Sequence, residues 1–284
     1  MKIGRVGPVG HEIPVVFTDD TTAVDVSAVI SDWSRESLSS GALEKVAEAS
    51  LEGFPTISLS GQRIGAPVAR PTKVVCIGLN YRRHAAETGA TPPSEPVIFM
   101  KAPDCVVGPH DDIEIPPGSE KTDYEVELAI VMGSRLRYAA SEAQAMDAVL
   151  GYTISQDVSE RHWQIERGGQ WDKGKAFPTF NPCGPWIETD ASFDPQNQAL
   201  TCSVDGETRQ SSNTNDMIFP VAEIVHYVSQ CMELFPGDII NTGTPEGVGM
   251  GMEPKGYLRV GQRVDTSIGS LGSLSSTTVE ALRS

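Results

Sequence analysis

The chain has 284 residues, enough for one sizeable core or for a main domain with a smaller companion. Its formal net charge of −16 disfavours nucleic acid and anionic membranes as partners, since both demand a basic patch. It leaves an anionic substrate open, because a bound cation or a local lysine reverses the field inside one pocket.

No stretch approaches the roughly 18–20 apolar residues that span a bilayer. The N-terminus carries His11 and Glu12 and has no apolar h-region, so it does not read as a secretory signal. Five scattered cysteines without a Cys-x-x-Cys pair predict free thiols in a cytoplasmic protein rather than a disulfide framework or a zinc site.

In chain order, Ile13 to Phe17 and Val24 to Ile30 read as short strands. Ala42 to Leu51 reads as a helix, with Leu43, Val46, Ala47 and Leu51 on one face and Gly53 just past its end. Gly61 to Pro71 has a connector's composition, so residues 1–70 are expected to form a small N-terminal α/β domain without a titratable cluster. From there to residue 284 short β-rich runs recur between turn signals: Val74–Gly78, Val97–Met100, Val126–Met132, Tyr152–Ser155, Asp238–Asn241 and Gln262–Ile268. Two helices interrupt them, Ser141 to Leu150 behind an N-cap serine and Met217 to Met232 with apolar residues at helical spacing. Ser267 to Thr278 alternates enough to form a terminal strand or hairpin. The fold class expected is α+β and β-rich.

The sharpest local feature is Asp123-Tyr124-Glu125-Val126-Glu127-Leu128. On a strand, residues i and i+2 share a face, so Glu125 and Glu127 project together, about 7 Å apart. Two solvated glutamates on an exposed face account for this pair as well as a buried metal site does. Asp157 shifts the balance: it ends the strand-like run Gly151 to Asp157, where a strand opens into a loop. Three carboxylates from two strand ends suit a hard cation, Mg²⁺, Mn²⁺ or Ca²⁺, rather than a thiol-loving metal.

Three further segments carry chemistry. His84 and Glu87 stand at i and i+3 after the strand ending at Gly78, so a helix there lets the carboxylate orient the imidazole as a base; a surface contact is the plainer reading of an isolated pair. Lys175 lies in a Gly- and aromatic-rich stretch that reads as a loop closing on something, where a lysine can stabilise a carboxylate or enolate; a solvated loop lysine is the plainer reading. Asn241 to Gly251 is a glycine-rich turn suited to an anion or simply to a tight turn, and it is not a dinucleotide fingerprint.

Together these segments resemble the fumarylacetoacetate hydrolase family. The pieces occur in the family's order: Gly78-Leu-Asn-Tyr-x-x-His84-x-x-Glu87, Pro96-x-x-Phe-x-Lys101, Asp123-Tyr-Glu125-x-Glu127-Leu, Gln156-Asp157-Val-Ser-x-Arg161, Gly174-Lys175-x-Phe, Gly184-Pro185, and Gly237-Asp238-x-Ile-x-Thr-Gly-Thr244-Pro-x-Gly-Val-Gly249. The resemblance covers residues 72–284. It implies a partly rolled β catalytic fold, usually a homodimer, with Mg²⁺ or Mn²⁺ on Glu125, Glu127 and Asp157. It implies a lid carrying His84 and Glu87. It assigns Lys175 and Thr244 to the substrate's keto-acid end, and places Arg161 and Gln164 along the pocket.

Two departures bear on the substrate. The family's Asn-Asp-Val-Ser-Ala-Arg-Asp stands here as Gln156-Asp157-Val-Ser-Glu160-Arg161-His162, and its Lys-Ser-Phe-Asp as Lys175-Ala176-Phe177-Pro178. The stretch Glu166 to Lys175 looks most like the sugar-acid branch, which hydrolyses 2,4-diketo-3-deoxy acids such as those from fuconate or rhamnonate. The leading expectation is therefore metal-dependent hydrolysis of an acylpyruvate-type 2,4-diketo acid. Decarboxylation of an oxaloacetate-like acid, keto–enol isomerisation, and silent keto-acid binding are the alternatives.

Overall fold

The computed structural model describes residues 1–283. Among the described residues eighteen strands carry the fold. The first eight are β1 (Lys2–Val6), β2 (Ile13–Phe17), β3 (Thr22–Asp25), β4 (Thr56–Ser58), β5 (Val74–Gly78), β6 (Val97–Lys101), β7 (Val106–Val107) and β8 (Ile113–Ile115). Then come β9 (Thr122–Asp123), β10 (Val126–Met132), β11 (Val149–Gln156), β12 (Ser159–Glu160) and β13 (Asn181–Glu188). The last five are β14 (Ala199–Val204), β15 (Glu207–Asn213), β16 (Ile239–Asn241), β17 (Arg263–Ile268) and β18 (Ser273–Glu280). The helices are short: α1 (Arg35–Ser39), α2 (Ala42–Glu48), α3 (Arg82–Glu87), α4 (Glu142–Met146), α5 (Asp172–Lys175) and α6 (Val221–Cys231). The architecture is α+β and β-rich, as its composition of elements predicts.

The main sheet runs β4-β3-β2-β1-β13-β11-β10-β16-β5-β6, with β7 added beside β13. A second sheet, β15-β14-β17-β18-β8, packs against it. β10 lies between β11 and β16 and is buried along its whole length, which is why it reads as a nearly unbroken apolar run. Its pleat sorts the side chains. Val126, Leu128, Ile130 and Met132 enter the large core between the sheets, with Tyr124 just before them. Ala129 and Val131 face two smaller clusters on the other side, the side that Glu125 and Glu127 share.

The strands of residues 1–70 are continuous with this sheet. β1 pairs with β13 in antiparallel register, Lys2 with Glu188 and Ile3 with Ile187. The apolar cluster of that segment, built on Trp33, Leu38 and Val46, includes Val131 and Ile187 from the later strands. Arg63 ties the two parts further, donating to Asp111 at 2.6 and 2.7 Å and to Glu12 at 2.8 Å.

Several elements end earlier or begin later than periodicity predicts. The strand expected over Val24–Ile30 stops at Asp25, whose carboxylate accepts the Ser27 N–H at 2.8 Å and turns the chain. The helix expected over Ala42–Leu51 ends at Glu48. The helix expected to reach Leu150 stops at Met146, because Val149 is claimed by pairing with Met132 and opens β11. The helix expected from Met217 starts at Val221, behind Pro220, while Met217 forms a bridge to Tyr81. Ser273–Glu280 pairs with β17 as the terminal hairpin.

Candidate active site

Three carboxylates converge at the carboxyl end of β11 and the start of β10. Ligand oxygens of Glu125, Glu127 and Asp157 lie within 4.8 Å of one another, and all three residues are buried. The backbone brings them together: β10 and β11 are antiparallel neighbours, Val126 pairs with Gln156, and the Asp157 N–H donates to Glu125 O at 2.9 Å. The side chain of Gln156 holds the same corner, accepting from the Glu125 N–H and donating to Thr266 Oγ1 at 2.9 Å.

Two lysines enter this acidic cluster. Lys175 Nζ contacts Glu125 Oε2 at 2.5 Å and Asp157 Oδ2 at 3.0 Å. Lys101 Nζ contacts Asp157 Oδ1 at 2.5 Å and Val158 O at 3.1 Å. Lys175 sits in a helical turn rather than the expected loop. α5 caps the edge strand β6 through Asp172 Oδ1, which accepts the Met100 N–H at 2.9 Å. Gly174 lets that turn approach residues 160–164, since a Cβ there would meet Gln164 and Glu160 backbone at 2.5 Å.

Arg161 completes the charge pattern. Its Nε donates to Asp123 Oδ2 at 2.8 Å, Nη1 donates to Gln164 Oε1 at 3.0 Å, and Nη2 is paired with Glu125 Oε1 at 2.7 Å. Asp123 in turn accepts N–H groups from Gly249 at 2.7 Å and Met250 at 2.9 Å, anchoring the glycine-rich turn.

Electrostatics divide the three carboxylates. Burial raises the pKa of Glu125, but Lys175 and Arg161 outweigh it and hold the group at about 2. Burial opposes a charged Lys175, yet Asp157 and Glu125 raise its pKa, so it stays protonated. Glu127 is in contact with no cation among the described residues. Burial and the charges of Asp157 and Glu125 push it well above the carboxylate range, against the weaker pull of Lys175 and of the Gly243 N–H it accepts at 2.7 Å.

A cavity of about 210 Å³ opens onto this cluster. Its wall includes His84, Glu125, Glu127, Arg161, Gln164, Lys175 and Thr244. Asp157 and Glu87 stand behind that wall. His84 is buried on α3, with Nδ1 3.2 Å from Glu87 Oε2, and Glu87 Oε1 accepts the Gly247 N–H at 3.0 Å. Thr244 reaches the cavity with its hydroxyl committed, donating to Val126 O at 3.0 Å and accepting from Gln210 at 2.8 Å.

Lys101 and Asp123 belong to the family motifs, and the structure gives them tasks that their motifs alone do not show, Lys101 against Asp157 and Asp123 between Arg161 and the glycine-rich turn. A signal existed for Lys101, which alternates with Phe99 at the end of an apolar strand and so shares its face. Trp171, a cavity residue whose ring lies across Gly78, is signalled only collectively, as one of the aromatics in the glycine-rich stretch before Lys175.

These features, oxygen ligands, a paired imidazole and a buried lysine around one small cavity, define an enzyme-type site. The comparisons with known proteins agree. Residues 73–279 match the family model described as fumarylacetoacetate (FAA) hydrolase, C-terminal. A Burkholderia ambifaria relative carrying only a general hydrolase name is 48% identical over 274 residues, 96% of each chain. Fumarylacetoacetate hydrolase of Exiguobacterium antarcticum superposes with a TM-score of 0.88 at 35% identity, covering 99% of this chain and 100% of that one. Maleylpyruvate hydrolase of Sphingobium sp. SYK-6, solved with manganese(II) and pyruvate, matches at 0.81 and 28% over 99% and 100%. Mycobacterial chains named as 2-hydroxyhepta-2,4-diene-1,7-dioate isomerase match as well. The chain belongs to the fumarylacetoacetate hydrolase family, an enzyme family of hydrolases and isomerases. Among the described residues no helix is long and apolar enough to cross a membrane.

Proposed function

We propose that the protein is a divalent-metal-dependent hydrolase that cleaves the C3–C4 bond of a 2,4-diketo acid to pyruvate and a carboxylic acid. The observation that carries this reading is the meeting of the carboxylate cluster and His84 in one cavity. The donor set fits a hard cation: three buried carboxylates, one of which, Glu127, is in contact with no cation among the described residues. Held by Glu125, Glu127 and Asp157, Mg²⁺ or Mn²⁺ would supply Lewis-acid polarisation of the 2-oxo acid end.

The remaining work falls to the chain's own residues. Burial raises the pKa of Glu87, but the hydrogen bonds with His84 and the Gly247 N–H outweigh it, so this carboxylate stays ionised and orients the ring. With Nδ1 engaged, His84 Nε2 is the atom left to take a proton from water. The resulting hydroxide adds to the C4 carbonyl. The C3–C4 bond then breaks, its electron pair passes to the pyruvate enolate, and C3 regains the proton from His84. One water is consumed, and the acyl group leaves as its acid. Lys175 and Arg161 supply positive charge beside the enolate and carboxylate end. Diketo-3-deoxy acids from fuconate and rhamnonate belong in the substrate panel on the strength of Glu166 to Lys175. We also propose a homodimer acting in the cytoplasm, with a small keto acid and neither nucleic acid nor membrane as its partner.

The matching isomerases favour a second reading, proton transfer between keto and enol forms, and oxaloacetate decarboxylation uses the same groups. In both, His84 at most carries a proton. Product analysis by NMR separates them. Chelator-stripped protein is given 2,4-diketo acids and oxaloacetate, with and without Mg²⁺. Magnesium-dependent pyruvate plus the acyl-derived acid supports the hydrolase, with His84→Ala lowering kcat by about 10²–10⁴. Full hydrolysis of every diketo acid by His84→Ala, or pyruvate from oxaloacetate alone, defeats it; binding across the panel without turnover points to a silent keto-acid binder.

A further inference from the structure

The geometry points to an apolar acyl group, aliphatic or aromatic, on the substrate of this site, rather than the polyhydroxylated chain of a sugar acid. The inference rests on the 2,4-diketo acid reading and names the part of the substrate which that reading leaves open.

Most side-chain polar atoms around the cavity are already engaged. The Thr88 hydroxyl bonds to His84 O at 3.0 Å and Ala85 O at 3.2 Å. The Thr244 hydroxyl is held between Val126 O and Gln210. Arg161 is divided among Asp123, Gln164 and Glu125. Outside the group formed by His84, the carboxylates and Lys175, three side-chain donors among the described residues lining the cavity make no hydrogen bond: the amide NH₂ of Gln164, the indole N–H of Trp171, and Nη2 of Arg161, which is held only by its ion pair with Glu125.

The rest of the wall is largely apolar and is held in place. It comprises Leu79, Ala90, Phe99, Ile165, Trp171 and Met250. The Trp171 ring lies over Gly78, where a Cβ would come within 2.4 Å of Cζ3. It meets Phe99 edge to face, with centroids 5.5 Å apart at 68°. Leu79 adopts a left-handed backbone with φ 55°, a conformation unfavourable for a bulky residue. Its neighbour Asn80 over-determines that conformation: Oδ1 accepts from Phe219 N at 2.8 Å, and Nδ2 donates to Thr242 O at 2.7 Å and Phe219 O at 3.1 Å. The side chain of Leu79, held in this conformation, is part of the cavity wall. Ile165, 46% exposed, extends the apolar surface to the mouth. A polyol entering here would exchange water for a largely apolar wall, with few side-chain donors, those of Gln164, Trp171 and Arg161, for its several hydroxyls.

The test compares straight-chain acylpyruvates with their dihydroxylated counterparts of equal carbon count, using the Mg²⁺-loaded protein. We expect kcat/KM to favour the apolar member by about tenfold or more. Ile165→Asn, at a partly exposed position, should reduce that ratio at least threefold (about the loss of one side-chain contact). Equal or better turnover of the hydroxylated members overturns the inference while leaving the hydrolase intact. If no member is cleaved, the hydrolase reading fails, and calorimetric titration decides the inference separately: 2-oxooctanoate binding more tightly than a 2-keto-3-deoxy sugar acid sustains it, and equal or weaker binding overturns it.

Discussion

Replacing Lys101 by Met removes one cation from a fully buried pair while keeping the length of the side chain. The Lys101 and Asp157 side chains are both 0% exposed, 2.5 Å apart, so the small energies of surface ion pairs do not apply. Breaking a buried pair from one side costs about 3–5 kcal/mol where the remaining charge is left unpaired; Asp157 keeps Lys175 Nζ at 3.0 Å, so the lower end of that range is the ceiling here. At about 2–4 °C per kcal/mol for a chain of this size, Tm should fall by up to roughly 6–12 °C in chelator. A dication bound to Asp157 supplies positive charge where the ammonium is missing. Saturating Mn²⁺ should therefore raise the Tm of Lys101→Met more than that of the wild type, and the gap should narrow. Differential scanning calorimetry with EDTA and with Mn²⁺ reads both effects. Equal melting in EDTA refutes the burial argument, and a gap that Mn²⁺ leaves unchanged refutes the assignment of Asp157 to the metal.

Two other perturbations probe the frame. Gly151→Ala places a Cβ 2.2 Å from Glu188 O on the facing strand, a backbone atom that cannot swing away, so urea unfolding should show a loss of about 1–3 kcal/mol or more; an unchanged midpoint contradicts the packing between β11 and β13. The Glu12 carboxyl is raised by burial, but its hydrogen bond from Arg63 and the charge of Arg5 outweigh this and lower its pKa. A depressed folded-state pKa gives stability that is present above the ordinary carboxylate range and lost as pH falls through the folded value. The stability difference between wild type and Glu12→Gln should accordingly be constant near neutrality and shrink below about pH 4.5. A difference that grows on acidification would refute the sign.

Local chemistry is legible wherever a short-range rule decides it. Val126–Met132 is a strand because its neighbours alternate between two buried faces, and the same period of two puts Glu125 beside Glu127. Ser141 caps α4 because its hydroxyl accepts the Gln144 N–H at 3.2 Å. His84 and Glu87 share a face because α3 forms. The family's ordered motifs add the global frame that these local rules lack.

Only the tertiary structure decides the rest, because it depends on partners far along the chain. Val149 and Leu150 leave their helical pattern when Met132 offers a strand edge. The segment of residues 1–70 is hydrogen-bonded into the main sheet by a register that involves Glu188 and Ile187, which no local window contains. Lys101 is indistinguishable from a solvated strand-end lysine until Asp157, 56 residues away, is folded against it. The largely apolar wall of the cavity is likewise assembled from Leu79, Phe99, Ile165, Trp171 and Met250, whose common surface exists only after β5, β6, α5 and the glycine-rich turn have packed together. Sequence determines which groups can do chemistry, since that is a property of the residue; burial and long-range pairing determine which of them meet, and in what state of charge.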